Sequence, residues 1–295
     1  MVTPITVESL GEFTDAVREL RNTWKLENDR ELWFRGESRD YAETTLRPEL
    51  YRPERDPNDR NKPLPLRSIA DLMDIEYNLH EEFQRNAAEY QTWSDDDWDW
   101  DSYFLMQHHE GPTRLLDWSD GALMAMHFGL RNKANDNEPA YVYVLDPYRL
   151  LDRIDRLPEV MRAARNWKAY AKAHDDYDTE TWDELYLPRN KWQRIKLPLP
   201  VPPCVLEFPH ITRRIAAQRS RFIVFGTDPN WIQDEFRRDD SAIRLIKVKK
   251  EARSNMRQEL RDCGITESVI FPDLDGVGRE TKQLWEDRRK LLGGS

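Results

Sequence analysis

Residues Gln107–Leu130 read QHHEGPTRLLDWSDGALMAMHFGL. His108, His109, Glu110, Thr113, Arg114, Asp117, Trp118 and Ser119 crowd the first half around Leu115 and Leu116, and an Ala/Met/Phe-rich helix follows. A buried polar group left without a partner costs about 1–3 kcal/mol. Polar residues this dense among aliphatics therefore form either a paired structural network or a ligand site, and the cluster as a whole favours a site.

The rest of the chain sets bounds on that site. At 295 residues it is long enough for one large domain or two small ones. With 39% hydrophobic residues and eleven Trp it can build a core, while 34% charged residues give a well-solvated surface. A net charge of −10 argues against a protein that coats nucleic acid non-specifically, although a local basic groove stays open to it. Cys204 and Cys263 are too few and too far apart for a disulfide scaffold or a cysteine zinc site. Neither a signal peptide nor a membrane-length apolar run is visible, so a cytoplasmic protein of a reducing compartment is expected.

Outward from the central stretch, Ser9 and Glu12 form a capping-box signal ahead of Leu10, Phe13, Val17, Leu20 and Trp24 at helical spacing. Residues 31–37, ELWFRGE, predict a strand with Leu32 and Phe34 on one face and Trp33 and Arg35 on the other. Gly36 there would allow a turn or a close approach. A Pro/Arg/Asp-rich connection spans residues 39–67, with Arg47 and Arg52 as candidate anion ligands, and a helix is expected over about 69–90. The run WSDDDWDW at 93–100 reads as a solvated loop or an acidic aromatic partner surface. Strands are expected at 140–146, 205–208, 221–226 and 242–249, and a helix from 250 to Gly264. Residues 150–203 read as a helical insertion. The chain is thus α+β, without βαβ repeats and without a Gly-rich nucleotide loop. It divides into an N-terminal lead-in (1–30), one domain (31–276) carrying that insertion, and a C-terminal helix (277–295).

Four chemistries compete for the central stretch. A metal site would use His108, His109 and Asp117, but neighbouring strand residues point apart. A serine nucleophile lacks its G-x-S-x-G elbow. A phosphate or nucleotide site would draw on Arg35, Arg114 and Arg214, with Ser119 capping a helix start. A structural network would pair Arg114 with Asp117 or Asp273.

The motifs Phe34-Arg35-Gly36-Glu37, Leu46-x-Pro48-x-Leu50-x-Arg52 and Gln107-His108-x-x-Gly111-Pro112-Thr113-Arg114-Leu115-Leu116-Asp117-Trp118-Ser119 resemble the FRG-domain family. So do Arg214-x-x-x-Gln218, Gly264-Ile265 and Phe271-Pro272-Asp273-Leu274-Asp275-Gly276. A more distant resemblance is to ADP-ribosyltransferases of the Arg-Ser-Glu type. Trp33-Phe34-Arg35-Gly36 is similar to their first motif. Asp117-Trp118-Ser119 followed by Ala125-x-x-Phe128 is similar to the second, a strand leading into a helix. Glu267-Ser268-Val269-Ile270-Phe271-Pro272 is similar to the third, a Glu ahead of an aliphatic strand. Asp117 and Trp118 replace Ser and Thr in this chain, and Glu267 lies one residue early, with Ser268 in the usual place.

The resemblance implies a small mixed or antiparallel sheet of ADP-ribosyltransferase type flanked by helices, and NAD as co-substrate. It assigns catalysis to Glu267, Arg35 and Ser119. NAD contacts fall to Arg35, Gly36, Arg114, Trp118, Ser119 and Tyr41, with His109, Thr113, Asp117, Arg214 and Gln218 in support and no metal. It further implies a toxin of a toxin–antitoxin or phage-defence system. Such a toxin would modify nucleic acid, notably mRNA, or a translation protein, and would be held by an antitoxin, with a chaperone as a further partner, away from membranes. The opposing expectation is a non-catalytic module that binds a nucleotide or a partner.

Overall fold

The computed structural model describes residues 3–59, 62–90, 100–174, 178–188, 196–206 and 213–292. Ser9 starts the first helix, α1 (Leu10–Thr23), by accepting the Glu12 amide at 3.2 Å, and the Glu12 carboxylate accepts the Glu8 amide at 2.8 Å. The buried stripe Leu10, Phe13, Ala16 and Leu20 then turns α1 onto a sheet.

That sheet holds seven strands: β1 (Ile5–Val7), β2 (Trp33–Glu37), β3 (Leu115–Ser119), β4 (Ala140–Leu145), β5 (Cys204–Leu206), β6 (Ser220–Val224) and β7 (Ile243–Val248). Their order is β1-β7-β4-β2-β3-β6-β5; β1 and β7 run parallel and every other pair is antiparallel. The remaining α-helices among the described residues are α2 (Ile69–Ala87), α3 (Trp100–His108), α4 (Ala122–Leu130), α5 (Pro147–Asp155), α6 (Pro158–Lys172), α7 (Arg213–Gln218), α8 (Trp231–Arg237), α9 (Arg253–Asp262), α10 (Glu267–Ile270) and α11 (Leu274–Leu292). The architecture is mixed α+β around one sheet. None of the described helices is long and apolar enough to cross a membrane.

Pleat alternation sorts the strands' side chains. Phe34, Val142, Val144, Ile246 and Val248 pack with α1, α4 and α9 in one cluster. Trp33, Leu116, Tyr143, Leu145, Ile223 and Ile243 pack on the opposite face with Leu72, Leu150 and Ile232 of α2, α5 and α8. A third cluster, Leu115, Phe222 and Val224 with Phe104 and Trp167, covers the far half of the first face. The helices α5 and α6 of the expected insertion thus serve the same sheet.

Most expected elements are present, with shifted ends. The expected 69–90 helix stops at Ala87. Gly264 ends α9 with φ of +79°, its amide on the Arg261 carbonyl and that of Ile265 on Leu260, a left-handed closure that suits glycine. The acidic aromatic run falls largely on residues 91–99, and the end of the 205–208 strand on 207–208, outside the described residues.

Two expectations are overturned. Residues 267–270 are helical, not the start of a strand. Pro272 leaves only a short aliphatic run there, and the Ser268 amide is taken by the Glu280 carboxylate of α11 at 2.8 Å instead of by a neighbouring strand. Ser119 does not cap α4: Gly121 is the N-cap. The Ser119 hydroxyl ends β3, accepting the Gly121 amide at 3.0 Å and donating to the Gln218 carbonyl at 2.7 Å.

Candidate functional site

The strands β2 and β3 are neighbours, yet a single residue pair, Phe34 with Ser119, joins them. β2 is otherwise zipped to β4, and β3 to β6, along their full lengths. The two central strands therefore part beyond Phe34. A cavity of about 490 Å³ opens there, between the first and third clusters and over β2, β3 and β6. Its walls carry Arg35 and Gly36 of β2, Asp117, Trp118 and Ser119 of β3, Phe128 of α4 with Arg131 just beyond it, and Arg214 and Gln218 of α7. Gln107, His108, Glu110, Glu49 and Phe271 complete most of the lining.

Helix α4 fixes one wall. A Cβ on Gly36 would stand 1.8 Å from the Ala125 carbonyl oxygen and 2.6 Å from the Gly129 nitrogen. Glycine is thus required by the helix above it, not by a turn or a ligand. With α4 seated so closely, Phe128 and Arg131 reach the mouth.

Arg35 is held on two sides. Its Nε donates to Glu37 at 3.2 Å and its Nη1 to the Asp117 backbone carbonyl at 2.8 Å, which ties the diverging strands together. The remaining nitrogen, Nη2, is left for a ligand. Asp117 accepts Gln107 Nε2 at 2.6 Å. Asp117 is solvent-exposed and lines the cavity, where protein atoms crowd its carboxyl from the Gln107 and Arg35 sides. That crowding raises its pKa above the ordinary carboxylate value, against the Arg35 charge and the Gln107 hydrogen bond. Burial, with Arg214 and His109 nearby, pushes the His108 imidazole down to about 4, so it is neutral at physiological pH.

Three buried donors on residues lining this cavity have no acceptor among the described residues: Trp118 Nε1, Arg214 Nε and Gln218 Nε2. Buried donors are nearly always paired in folded proteins. A wall with donors to spare, two further guanidiniums and several aromatic rings suits an anionic ligand with a planar part. Tyr41 lines a second chamber with Arg52, and this chamber shares Arg35, Gly36, Phe128 and Arg131 with the first. The two form a bipartite cleft with Arg35 and Arg131 at its waist.

Several residues that the sequence nominates for the site fall elsewhere. Arg114 is wholly buried, its Nε on Glu76 at 2.6 Å and its Nη1 on the Phe225 carbonyl at 2.8 Å, with Nη2 on Tyr186. It pairs with neither Asp117 nor Asp273 and does not reach the cavity, so it pins α2 to β3 and is corrected from ligand to scaffold. Thr113 is buried beside it, bonded to Gln107 and to the Leu115 amide. His109 is exposed, and His108 occupies the wall in its place.

Glu267 is also displaced. It lines a small adjoining pocket with Arg131 and is clasped by His127 at 3.1 Å, Arg131 at 2.9 Å and Arg279 at 2.7 Å. Burial raises its pKa, but the bonds from His127 and Arg279 and the charge of Arg131 outweigh this and hold it at about 2. Its oxygens are engaged by cations of this chain, so it is not presented to the Arg35 cavity. Arg131 and Arg279 were not foreseen; the one cue is the i, i+4 spacing of His127 and Arg131 at the end of α4. Among the described residues, no group of three or more His, Cys, Asp or Glu could hold a metal ion.

The FRG domain model matches residues 30–138, from just before β2 to the turn ahead of β4. The match supports the FRG-domain family and contains both Arg35 and Asp117, whereas Arg214, Phe271 and Glu267 lie beyond it. Neither a curated protein nor a solved structure matches the chain.

Proposed function

We propose that this FRG-domain chain transfers ADP-ribose from NAD, using the cavity between β2 and β3. One observation carries the reading: a guanidinium with a nitrogen to spare and a carboxyl face one aromatic-lined cavity from adjacent strands. Arg35 would orient the diphosphate through Nη2. The Phe128 ring would take the nicotinamide, since the Trp118 ring packs into the cluster on the opposite face of the sheet.

The glycosidic C–N bond then breaks, and nicotinamide leaves with the bonding pair. Positive charge develops on the ribose C1′, and the Asp117 carboxylate opposes it. The acceptor's nucleophile bonds to C1′, and its proton passes to Asp117, whose raised affinity for protons suits that role. Asp117 thus takes the part that the resemblance gives to Glu267. The acceptor we propose is a nucleic acid, notably mRNA, or a translation protein. The chain would act as a toxin checked by an antitoxin.

A second reading has its own support. With Glu267 sequestered by two arginines and a histidine, the position where the resemblance puts the catalytic carboxylate is filled by a clasp. A module that only binds nucleotides needs no such group. Labelled NAD incubated with the protein and lysate, followed by separate nuclease and protease digestion, decides between them. Label on a macromolecule, lost in Asp117→Asn, supports transfer. Saturable NAD binding without label leaves the binder, and no binding of NAD sinks the transfer reading.

A further inference from the structure

Phe271 gathers three arginines. The guanidinium carbons of Arg131, Arg214 and Arg279 each lie 4.6 Å from its ring centroid. No two of them can be more than twice that distance apart, which is about the screening length of physiological salt. One ring has two faces, so three cations cannot each have a face to themselves. Cation–π attraction of this kind contributes modestly, and it leaves the mutual repulsion in place.

Three carboxylates lie near the trio, but only one of them is bonded to it. Glu267 is one carboxylate bonded to two of the arginines, Arg131 and Arg279. Asp273 and Glu110 act on Arg214 only through their fields, and among the described residues Arg214 has no ion pair. Its Nε is buried without an acceptor. Arg131, Arg214 and Phe271 all line the large cavity, so the incompletely bonded guanidinium of Arg214 borders the space where a ligand would sit. Arg35 belongs to β2 and is tethered to Asp117, so it is not part of this cluster.

We infer that Arg131, Arg214 and Arg279, assembled on Phe271, form an anion seat for a phosphate group, separate from the Arg35 position. Arg214 is its principal donor. Glu267 moderates its strength by drawing on the other two cations. The fork geometry of arginine suits the tetrahedral oxygens of a phosphate better than a lone ammonium does. The inference rests on the proposed transfer only for the source of that phosphate, either the NAD diphosphate or a phosphodiester of a nucleic-acid acceptor.

Calorimetric titration of the full chain with inorganic pyrophosphate, at matched ionic strength, tests the seat. Arg214→Met should weaken binding at least tenfold. Arg214→Lys keeps the charge and the stem, so it should fold even if the methionine variant does not, and should still lose threefold or more. Glu267→Gln should tighten binding severalfold, an effect opposite to that of simple loss of structure. Absence of saturable pyrophosphate binding by the parent would overturn the inference, as would Arg214 variants that bind within twofold of it. Parallel titrations identify the source: a defect for NAD points to the diphosphate, and one for a short single-stranded oligoribonucleotide points to the acceptor. If pyrophosphate binding depends on Arg214 but no ADP-ribose is transferred, the seat stands and the transfer reading falls. If transfer occurs and pyrophosphate binding ignores Arg214, the reverse holds.

Discussion

Arg35 reaches across a strand boundary, and a lysine cannot repeat that reach. Arg35→Lys keeps one charge but cannot serve Glu37, the Asp117 carbonyl and a ligand together. We expect it to lose about 10- to 100-fold in NAD affinity, near the loss for Arg35→Ala, with a lowered melting temperature because the tie between β2 and β3 is weakened; titration and thermal unfolding of both variants check this. Arg114 should matter more to the fold. Removing one partner of a buried pair typically costs about 3–5 kcal/mol, so Arg114→Met, whose pair with Glu76 is wholly buried, should lose clearly more in denaturant unfolding than Arg35→Ala, whose partner Glu37 also accepts from Thr45 and the Leu46 amide. These two arginines look alike in the sequence, each beside a conspicuous motif. What separates them is Glu76, a residue of α2 whose link to β3 no local pattern announces. Arg35 was legible because strand alternation put it opposite Phe34 and next to glycine. Glu267 misled because the spacing of a motif says nothing about which cations fold back onto its carboxylate.

The contact of α4 with β2 is the element on which the cavity's shape depends. Gly36→Ala would drive a methyl group into the Ala125 carbonyl, and backbone cannot yield as a flexible side chain can. A loss of about 3 kcal/mol or more is expected in urea unfolding, at the upper end of overpacking costs. Gly129→Ala is the paired control: the nearest atom to its added Cβ is the Tyr141 carbonyl oxygen at 3.4 Å. There, the helix propensity gained, about 1 kcal/mol, should offset the crowding and leave stability nearly unchanged. Elements with strong periodicity or clear stops were readable: α1 from its cap, α2 from its stripe, β4 from alternation before Pro147, and α9 from Gly264. The segment after Thr266 was not. Val269, Ile270 and Phe271 have strand-like composition, but strand formation needs a partner edge, and α11 supplies a carboxylate to the Ser268 amide instead. The parting of β2 from β3, which makes the site, is a property of the sheet and of no single stretch.

For the molecule as a whole, acid should be the sensitive direction. Glu267 is held at about 2 against an ordinary value of 4.5, so its contribution is present above the unfolded value and is lost as pH falls through the folded one. That is roughly 2–4 kcal/mol disappearing between about pH 5 and pH 2. His80 and His108 are both held at about 4 from 6.5, in each case chiefly by burial, which favours their neutral forms. Their protonation favours the unfolded chain, so stability should begin to fall as pH drops below 6.5. Urea midpoints measured from about pH 7 to pH 3 should decline throughout. The Glu267→Gln protein should start lower and show a shallower decline below about pH 5; parallel curves would contradict the clasp. The sheet order has another consequence. Ile5 pairs with Ile246 and β4 pairs with β7, so β1 waits for β7, the last in chain order of the described strands. A nascent chain halted after β4 therefore displays unpaired edges on β1, β3 and β4, and a neighbouring copy emerging from the same message could join them. How steadily the stretch from Asp146 to Val248 is translated thus bears on whether each molecule closes upon itself.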